Sequence, residues 1–281
     1  MRVVVMTHRR MDGSSEALAE LMRAGRRAGA TLVFGDDEAE KHGLEPGEGI
    51  EVGAGPAREA DLCIVLGGDG TILTALRQYV GRDVPVFAVN YGEVGFLATL
   101  DPDGLGRDFD RAFAGEFETL KLPTIDVGRP EGMWTAINDI SVHRKPGMRV
   151  ADLAYGLAGE EIGRVRCDGL VVATPQGSTG YNLANGGPVL AWGVRGFVVS
   201  FTAPHSLTAR SLVVAPDDLM TINNRSRDEP VEVHVDGRPV LELQPGEDVH
   251  VEFAHVTALL AQLPGASFYH RLRERFGRLA T

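Results

Sequence analysis

Leu62-Cys63-Ile64-Val65-Leu66-Gly67-Gly68-Asp69-Gly70-Thr71-Ile72-Leu73-Thr74-Ala75-Leu76 reads as a buried strand, a sharp turn and the start of a helix. The apolar run ends in glycines, which permit positive φ and let a ligand approach the main chain closely. Amides in the first turn of the following helix face outward toward negative charge. Gly67, Gly68, Gly70 and Thr71 therefore form a candidate phosphate site, and Asp69 lies inside it. A carboxylate beside phosphates is repulsive unless it binds a metal, accepts a sugar hydroxyl or removes a proton. The pentapeptide alone reads equally as a tight strand-to-helix turn with Asp69 as the helix cap.

Toward the N-terminus the same rhythm continues. Val3 to Met6 reads as a strand, Ser14 to Ala28 as a helix capped by Ser14 or Ser15, and Thr31 to Phe34 as a strand, which together imply a parallel sheet. Residues 35–60 turn to Gly, Glu, Asp and Pro and read as a surface connection with one short helix. After the turn come a helix over 71–80, a strand from Val84 to Val89, a loop from Asn90 to Leu97 and a helix near Pro102 to Ala114. Two successive strands end in glycine-containing loops, and ligands of open α/β sheets sit at such carboxyl ends.

The pattern changes at Leu122-Pro123. From Thr124 to Leu263 short Val-, Leu-, Ile- and Thr-rich runs alternate with turn residues. One run, 134–143, reads as a single strand, and 248–253 and 256–260 as two. Ser267 to Arg278 is helical again. The expected architecture is an α/β N-terminal domain with a Rossmann-like parallel sheet (1–123 plus 264–281) and an all-β C-terminal domain (124–263), with the C-terminal helix returning to the first domain.

At 281 residues the chain exceeds the usual single core. A net charge of −11 argues against a general nucleic-acid or anionic-membrane surface, so any phosphate must be held locally. Cys63 and Cys167 are the only cysteines, and no Cys/His spacing resembles a zinc site. A reducing, cytoplasmic setting is expected. The start, MRVVVMTHRR, is too short for a signal-peptide core, and no stretch reaches membrane-spanning length.

The densest polar block is Asp168 to Pro188, where glycines, hydroxyls and amides surround one ring, Tyr181. It suits a nucleotide, or an elaborate turn held by its own Ser and Thr side chains. Asn138-Asp139 interrupts an apolar strand, where neighbouring side chains point to opposite faces. A ligand, a bulge or a strand end would each satisfy them. His143 and Arg144 read as surface residues, His205 as a structural histidine, and Asp236-Gly237-Arg238 as a hairpin turn.

Assembled, these motifs resemble the NAD kinases, which phosphorylate the adenosine-ribose 2′-hydroxyl of NAD to give NADP. The resemblance rests on GGDGT at 67–71, NxGxxGFL at 90–97, Asn138-Asp139, DGLVVATPQGSTGY at 168–181, GGP at 186–188, PHSLTAR at 204–210, Asp236-Gly237 and FYHRLRERF at 268–276. It implies that Asp69 contacts the ribose hydroxyls and activates the acceptor, and that Asn138 and Asp139 grip the adenosine half. It also implies that Phe96, Thr179 and Tyr181 frame the adenine, beside Gly180 in place of a usual alanine. Asp168 and Asp236 reach the NAD ribose and nicotinamide half, and Arg166 contacts phosphate. Gln176 stands where a small hydroxyl residue is frequent. The donor implied is ATP or polyphosphate, with Mg²⁺ or another divalent cation, in an active site between the domains of a homodimer or homotetramer. The loop of the phosphate-binding NTPases, GxxxxGK[ST], is absent. A lipid kinase shares the GGDGT turn, and an NAD-binding sensor would share the cleft without needing Asp69.

Overall fold

The computed structural model describes residues 1–8, 15–53, 59–90, 95–97, 104–130, 132–265 and 267–277. Ser14 and residues 91–94 of the loop after Asn90, both singled out above, lie outside the described residues. The chain divides into two compact units, Met1–Lys121 with Ala258–Thr281, and Leu122–Thr257.

In the first unit β1 (Arg2–Thr7), α1 (Ser15–Arg27), β2 (Thr31–Phe34), α2 (Asp36–His42), β3 (Ile50–Val52), β4 (Leu62–Leu66), α3 (Asp69–Gln78), β5 (Val86–Val89) and α4 (Leu105–Phe113) follow in order. The strands form a parallel sheet in the order β3-β2-β1-β4-β5. β4 is buried at every residue, as a strand covered on both faces must be, which is why it reads as a continuous apolar run. α1 buries Ala17, Leu18, Leu21 and Ala24 on one stripe. The strand order reverses between β1 and β4, and the Gly67 turn leaves the carboxyl end of β4 at that switch point. The 35–60 stretch contains α2, with an acidic first turn and Gly43 closing it at φ 60°, and also β3, too short to stand out in the sequence.

The second unit is β-rich. β6 (Glu118–Arg129), β7 (Gly132–Ala136), β8 (Asp139–Arg144), β9 (Ala151–Leu157), β10 (Glu160–Cys167), β11 (Gly169–Ala173), one-turn helix α5 (Tyr181–Ala184), β12 (Phe197–Thr202), β13 (Leu212–Val214), β14 (Met220–Asn224), β15 (Val231–Val235), β16 (Arg238–Leu243) and β17 (Asp248–Gln262) follow. One antiparallel sheet runs β13-β12-β11-β8-β15-β16; β10, β9, β14 and β17 pair antiparallel in a second. Val142, Leu170, Val172 and Val233 of the first share a core with Leu153, Ile222, Val249 and Val251 of the second.

Two strand readings differ from the structure. The 134–143 run breaks at Ile137-Asn138 into β7 and β8, and 248–260 is one strand whose alternation is interrupted by the exposed pair His255-Val256. The end of β17 pairs parallel with β5, Leu260 opposite Val86 and Ala261 opposite Phe87, within the first unit. α6 (Phe268–Phe276), capped by Ser267, whose Oγ accepts the His270 N–H at 3.1 Å, belongs to that unit too.

Candidate functional site

Gly67 leaves β4 beside Thr71 so closely that a Cβ there would stand 2.9 Å from Thr71 Oγ1. Gly68, extended, is the cap of α3, and Asp69 is its first residue. The Gly68 carbonyl accepts the N–H groups of Thr71 and Ile72, while the N–H groups of Gly68 and Gly70 have no partner among the described residues. They are the helix-terminal donors that a phosphate satisfies.

Asp69 does not cap α3. Its carboxylate turns to the 95–97 segment, Oδ2 accepting the Phe96 N–H at 2.9 Å and Oδ1 the Leu97 N–H at 3.2 Å. A carboxylate offers about four lone-pair sites, so each oxygen keeps capacity for a substrate hydroxyl. The segment is held from behind by α6. Arg271, 8% exposed, donates to the Phe96 carbonyl at 2.6 Å, and the Phe96 ring lies 6.0 Å from that of Phe276. Phe96 is thus largely buried, at 7% exposed.

In the second unit, β15 and β16 join through Asp236 and Gly237, both at positive φ (47° and 76°) as a two-residue hairpin turn requires. That turn aims the Asp236 carboxylate at the break between β7 and β8, where it accepts the N–H groups of Ile137 (3.2 Å), Asn138 (2.7 Å) and Asp139 (3.2 Å). Asp139 is buried, and burial first, then the charge of Asp236, pushes its carboxyl up to about 7. The Asn138 side-chain oxygen is buried with no partner among the described residues, a group a ligand donor would satisfy. Its carbonyl accepts from the Thr174 N–H and hydroxyl.

The 174–190 loop largely holds itself. Ser178 Oγ donates to the Pro175 carbonyl at 2.6 Å and accepts the Leu190 N–H at 2.8 Å. Buried Asn182 donates to the carbonyls of Ser178 and Pro188, and Thr179 donates to that of Gln176. Thr174, Ser178 and Asn182 hold the block together as the self-wrapped reading expects, and Gly180 and Tyr181 are exposed. Gln176, buried, donates to the carbonyls of Pro123 and Ile137, both at 2.6 Å. Asp168 is gripped by Arg144 at 2.5 Å, which holds its carboxyl below the usual range. Arg166 is exposed, with no ion-pair partner among the described residues.

Among the described residues no three His, Cys, Asp or Glu side chains converge on a metal position. One carboxylate, Asp69, beside helix-terminal amides fits a hard cation carried mainly by substrate phosphates and water rather than a protein cage. Cys63 and Cys167 are buried, and burial pushes both thiols up, Cys167 to about 12.

Residues 137–263 match the ATP-NAD kinase C-terminal domain and residues 51–117 the ATP-NAD kinase N-terminal domain. The NAD kinase of Gemmatimonas aurantiaca is 33% identical over 99% of this chain and 96% of its own length. The chain belongs to the NAD kinase family. A second family relative, from Symbiobacterium thermophilum, is 36% identical over 79% of this chain and 80% of its own. Among solved structures, an NAD kinase from Archaeoglobus fulgidus in complex with ATP has a TM-score of 0.73 at 25% identity, over 100% of this chain and 99% of that one. Yeast NADH kinase complexed with NADH has a TM-score of 0.88 at 23% identity, over 100% and 89%.

For this NAD kinase family member the structure groups Gly67, Gly68, Asp69, Gly70, Thr71 and Phe96 in one unit, and Asn138, Asp139 and Asp236 around one strand break in the other. Arg271 has no separate role in the sequence reading beyond its place in the 268–276 segment, and His143 and Arg144 read there as surface residues. Arg144 and His143 are not plain surface residues: the first pairs with Asp168, and the second, half-buried, faces Tyr181 with ring centroids 5.5 Å apart. No described helix is long and apolar enough to cross a membrane.

Proposed function

We propose that this chain transfers the γ-phosphoryl group of ATP to the adenosine-ribose 2′-hydroxyl of NAD, giving NADP. The observation that carries the reading is the fixed carboxylate of Asp69 beside the open amides of Gly68 and Gly70. In this reading the glycine amides and Thr71 bind the donor phosphates, and Asp69 accepts a hydrogen bond from the 2′-hydroxyl and takes its proton as the bond to phosphorus forms. Asn138 and Asp139 bind the adenosine half, Thr179, Gly180 and Tyr181 the adenine, and Asp168 and Arg166 the remainder. A divalent cation such as Mg²⁺, when bound with the donor, would spread the charge developing on the transferred group. Asp69 would be the carboxylate that helps to hold it, while the glycine amides bind the donor phosphates.

Two further residues sharpen the roles. Phe96 presents its main chain to Asp69 and its ring to Phe276, so in this chain it acts on the adenosine site through the segment it anchors. Asp236 already spends its carboxylate on three N–H groups, so its contribution to NAD runs through the shape of the 137–139 break.

The test is NADP formation with NAD and Mg²⁺, supplied with ATP in one arm and polyphosphate in the other. Turnover with ATP is expected; turnover with neither donor overturns the reading. Asp69→Asn should lower kcat by about 10²–10⁴-fold, with the KM for NAD within about threefold. Near-wild-type turnover in that variant would remove the base assignment.

A further inference from the structure

β8 alternates across its sheet. Ile140 and Val142 point into the core, so Asp139, Ser141 and His143 share the opposite face. His143 therefore stands on the face that carries Asp139, four residues and roughly 13 Å along the strand. Its cross-strand neighbours are Gly169 on β11 and Glu232 on β15. Gly169 makes room for the imidazole: a Cβ there would lie 2.5 Å from His143 Nδ1 and 2.7 Å from the Val142 carbonyl. The ring is then enclosed by two others. Tyr181 lies on one side, centroids 5.5 Å apart and planes tilted by 39°; His234 meets it edge-on at 5.4 Å and 85°. His234 Nε2 lies 3.3 Å from a Glu232 carboxylate oxygen.

Tyr181 is exposed at 37%, with no hydrogen bond to its hydroxyl among the described residues, and the ring contact it makes is to His143. We infer that His143 is a positioning residue for the dinucleotide site, supporting the Tyr181 ring in the orientation that packs against bound NAD, with His234 as the wall behind it. The inference rests on the proposed function above, in which Tyr181 touches NAD. Tilted aromatic pairs at this separation contribute beyond their buried area, and a ring held in place loses less freedom when a ligand stacks on it. Burial and the neighbouring His234 lower the pKa of His143, while Glu232 opposes them, so the ring that faces Tyr181 at neutral pH is the uncharged one.

The test is steady-state kinetics on four proteins: Tyr181→Ala, His143→Ala, His143→Phe and the double variant His143→Ala/Tyr181→Ala, each checked by a thermal melt. His143→Ala should raise the KM for NAD about five- to tenfold, with kcat and the KM for ATP within about twofold. His143→Phe keeps a flat ring and should bring the KM for NAD back to within about threefold of wild type. The double variant should show the KM of Tyr181→Ala alone, because His143 acts only through that ring. An unchanged KM in His143→Ala, a fall in kcat instead, or additive effects in the double variant overturns the inference while leaving the proposed function standing. If Tyr181→Ala itself leaves the KM for NAD unmoved, the assignment of Tyr181 to the NAD site and the role of His143 fall together.

Discussion

Oδ2 of Asp69 accepts the main-chain N–H of Phe96 at 2.9 Å, and the carbonyl of that same Phe96 is held by Arg271 at 2.6 Å. The C-terminal helix thus reaches the proposed base through one residue. Arg271→Ala leaves a carbonyl with one donor fewer and loosens the segment that orients the carboxylate. The expected outcome is a kcat lowered by about tenfold or more with the KM for NAD little changed, since misplacing a catalytic group costs rate rather than ground-state binding. Arg271→Lys keeps a charged donor and should recover part of the loss. Equal kcat in all three proteins would show that α6 does not fix Asp69.

Gly95 tests the same contact from the other side. A Cβ at this position would lie 1.9 Å from Asp69 Oδ1, so Gly95→Ala must displace either the carboxylate or the segment that binds it. Activity should fall toward that of Asp69→Asn. Overpacking of this kind typically removes about 1–3 kcal/mol of stability, which a urea titration reads as a lower midpoint at constant slope. Retained activity with a lowered midpoint would place the adjustment in the segment and not in Asp69.

The α/β unit was legible because its signals are local: β4 is apolar at every residue, and two glycines follow it. The strand pattern of the second unit was legible for the same reason. Contacts between residues distant in sequence were not. Nothing near Asp69 announces that its carboxylate bonds to Phe96 and Leu97, and a helix-start aspartate reads naturally as a cap. Asp236 read as a plain hairpin residue, which locally it is; only the fold brings the 137–139 amides under it. His143 looked like a strand-end surface residue because the glycine that makes room for it, Gly169, is on another strand.

Asp139 makes stability depend on pH. In the folded chain its carboxyl is pushed up to about 7, whereas the unfolded chain releases that proton near pH 4. Between those values the folded state binds the extra proton, so stability from this group is fully present below about pH 4 and is lost as pH rises through about 7. Asp139→Asn removes the titration and keeps most of the shape. Urea midpoints should fall less steeply for the variant than for the wild type between about pH 4.5 and 7.5. Parallel declines would show that Asp139 ionises normally in the folded chain.

Gln176 makes a contact whose strength can be measured. Its Nε2 donates to the carbonyls of Pro123 and Ile137, both at 2.6 Å, and the residue is 2% exposed. Ile137 precedes Asn138, so this amide braces one side of the break that Asp236 braces from the other. Gln176→Glu keeps the size, removes both donors and sets a buried carboxylate against two carbonyl oxygens. It should lower stability by about 2–4 kcal/mol at pH 7.5 and raise the KM for NAD through the displaced Asn138. At pH 5 part of the loss should return, because burial favours the protonated acid, which regains one donor. Gln176→Ser lacks the reach to either carbonyl and should cost less, with no recovery at pH 5. If the Glu variant matches wild type in urea at both pH values, Gln176 does not brace the break, and Asp236 and Thr174 hold residues 137–139 without it.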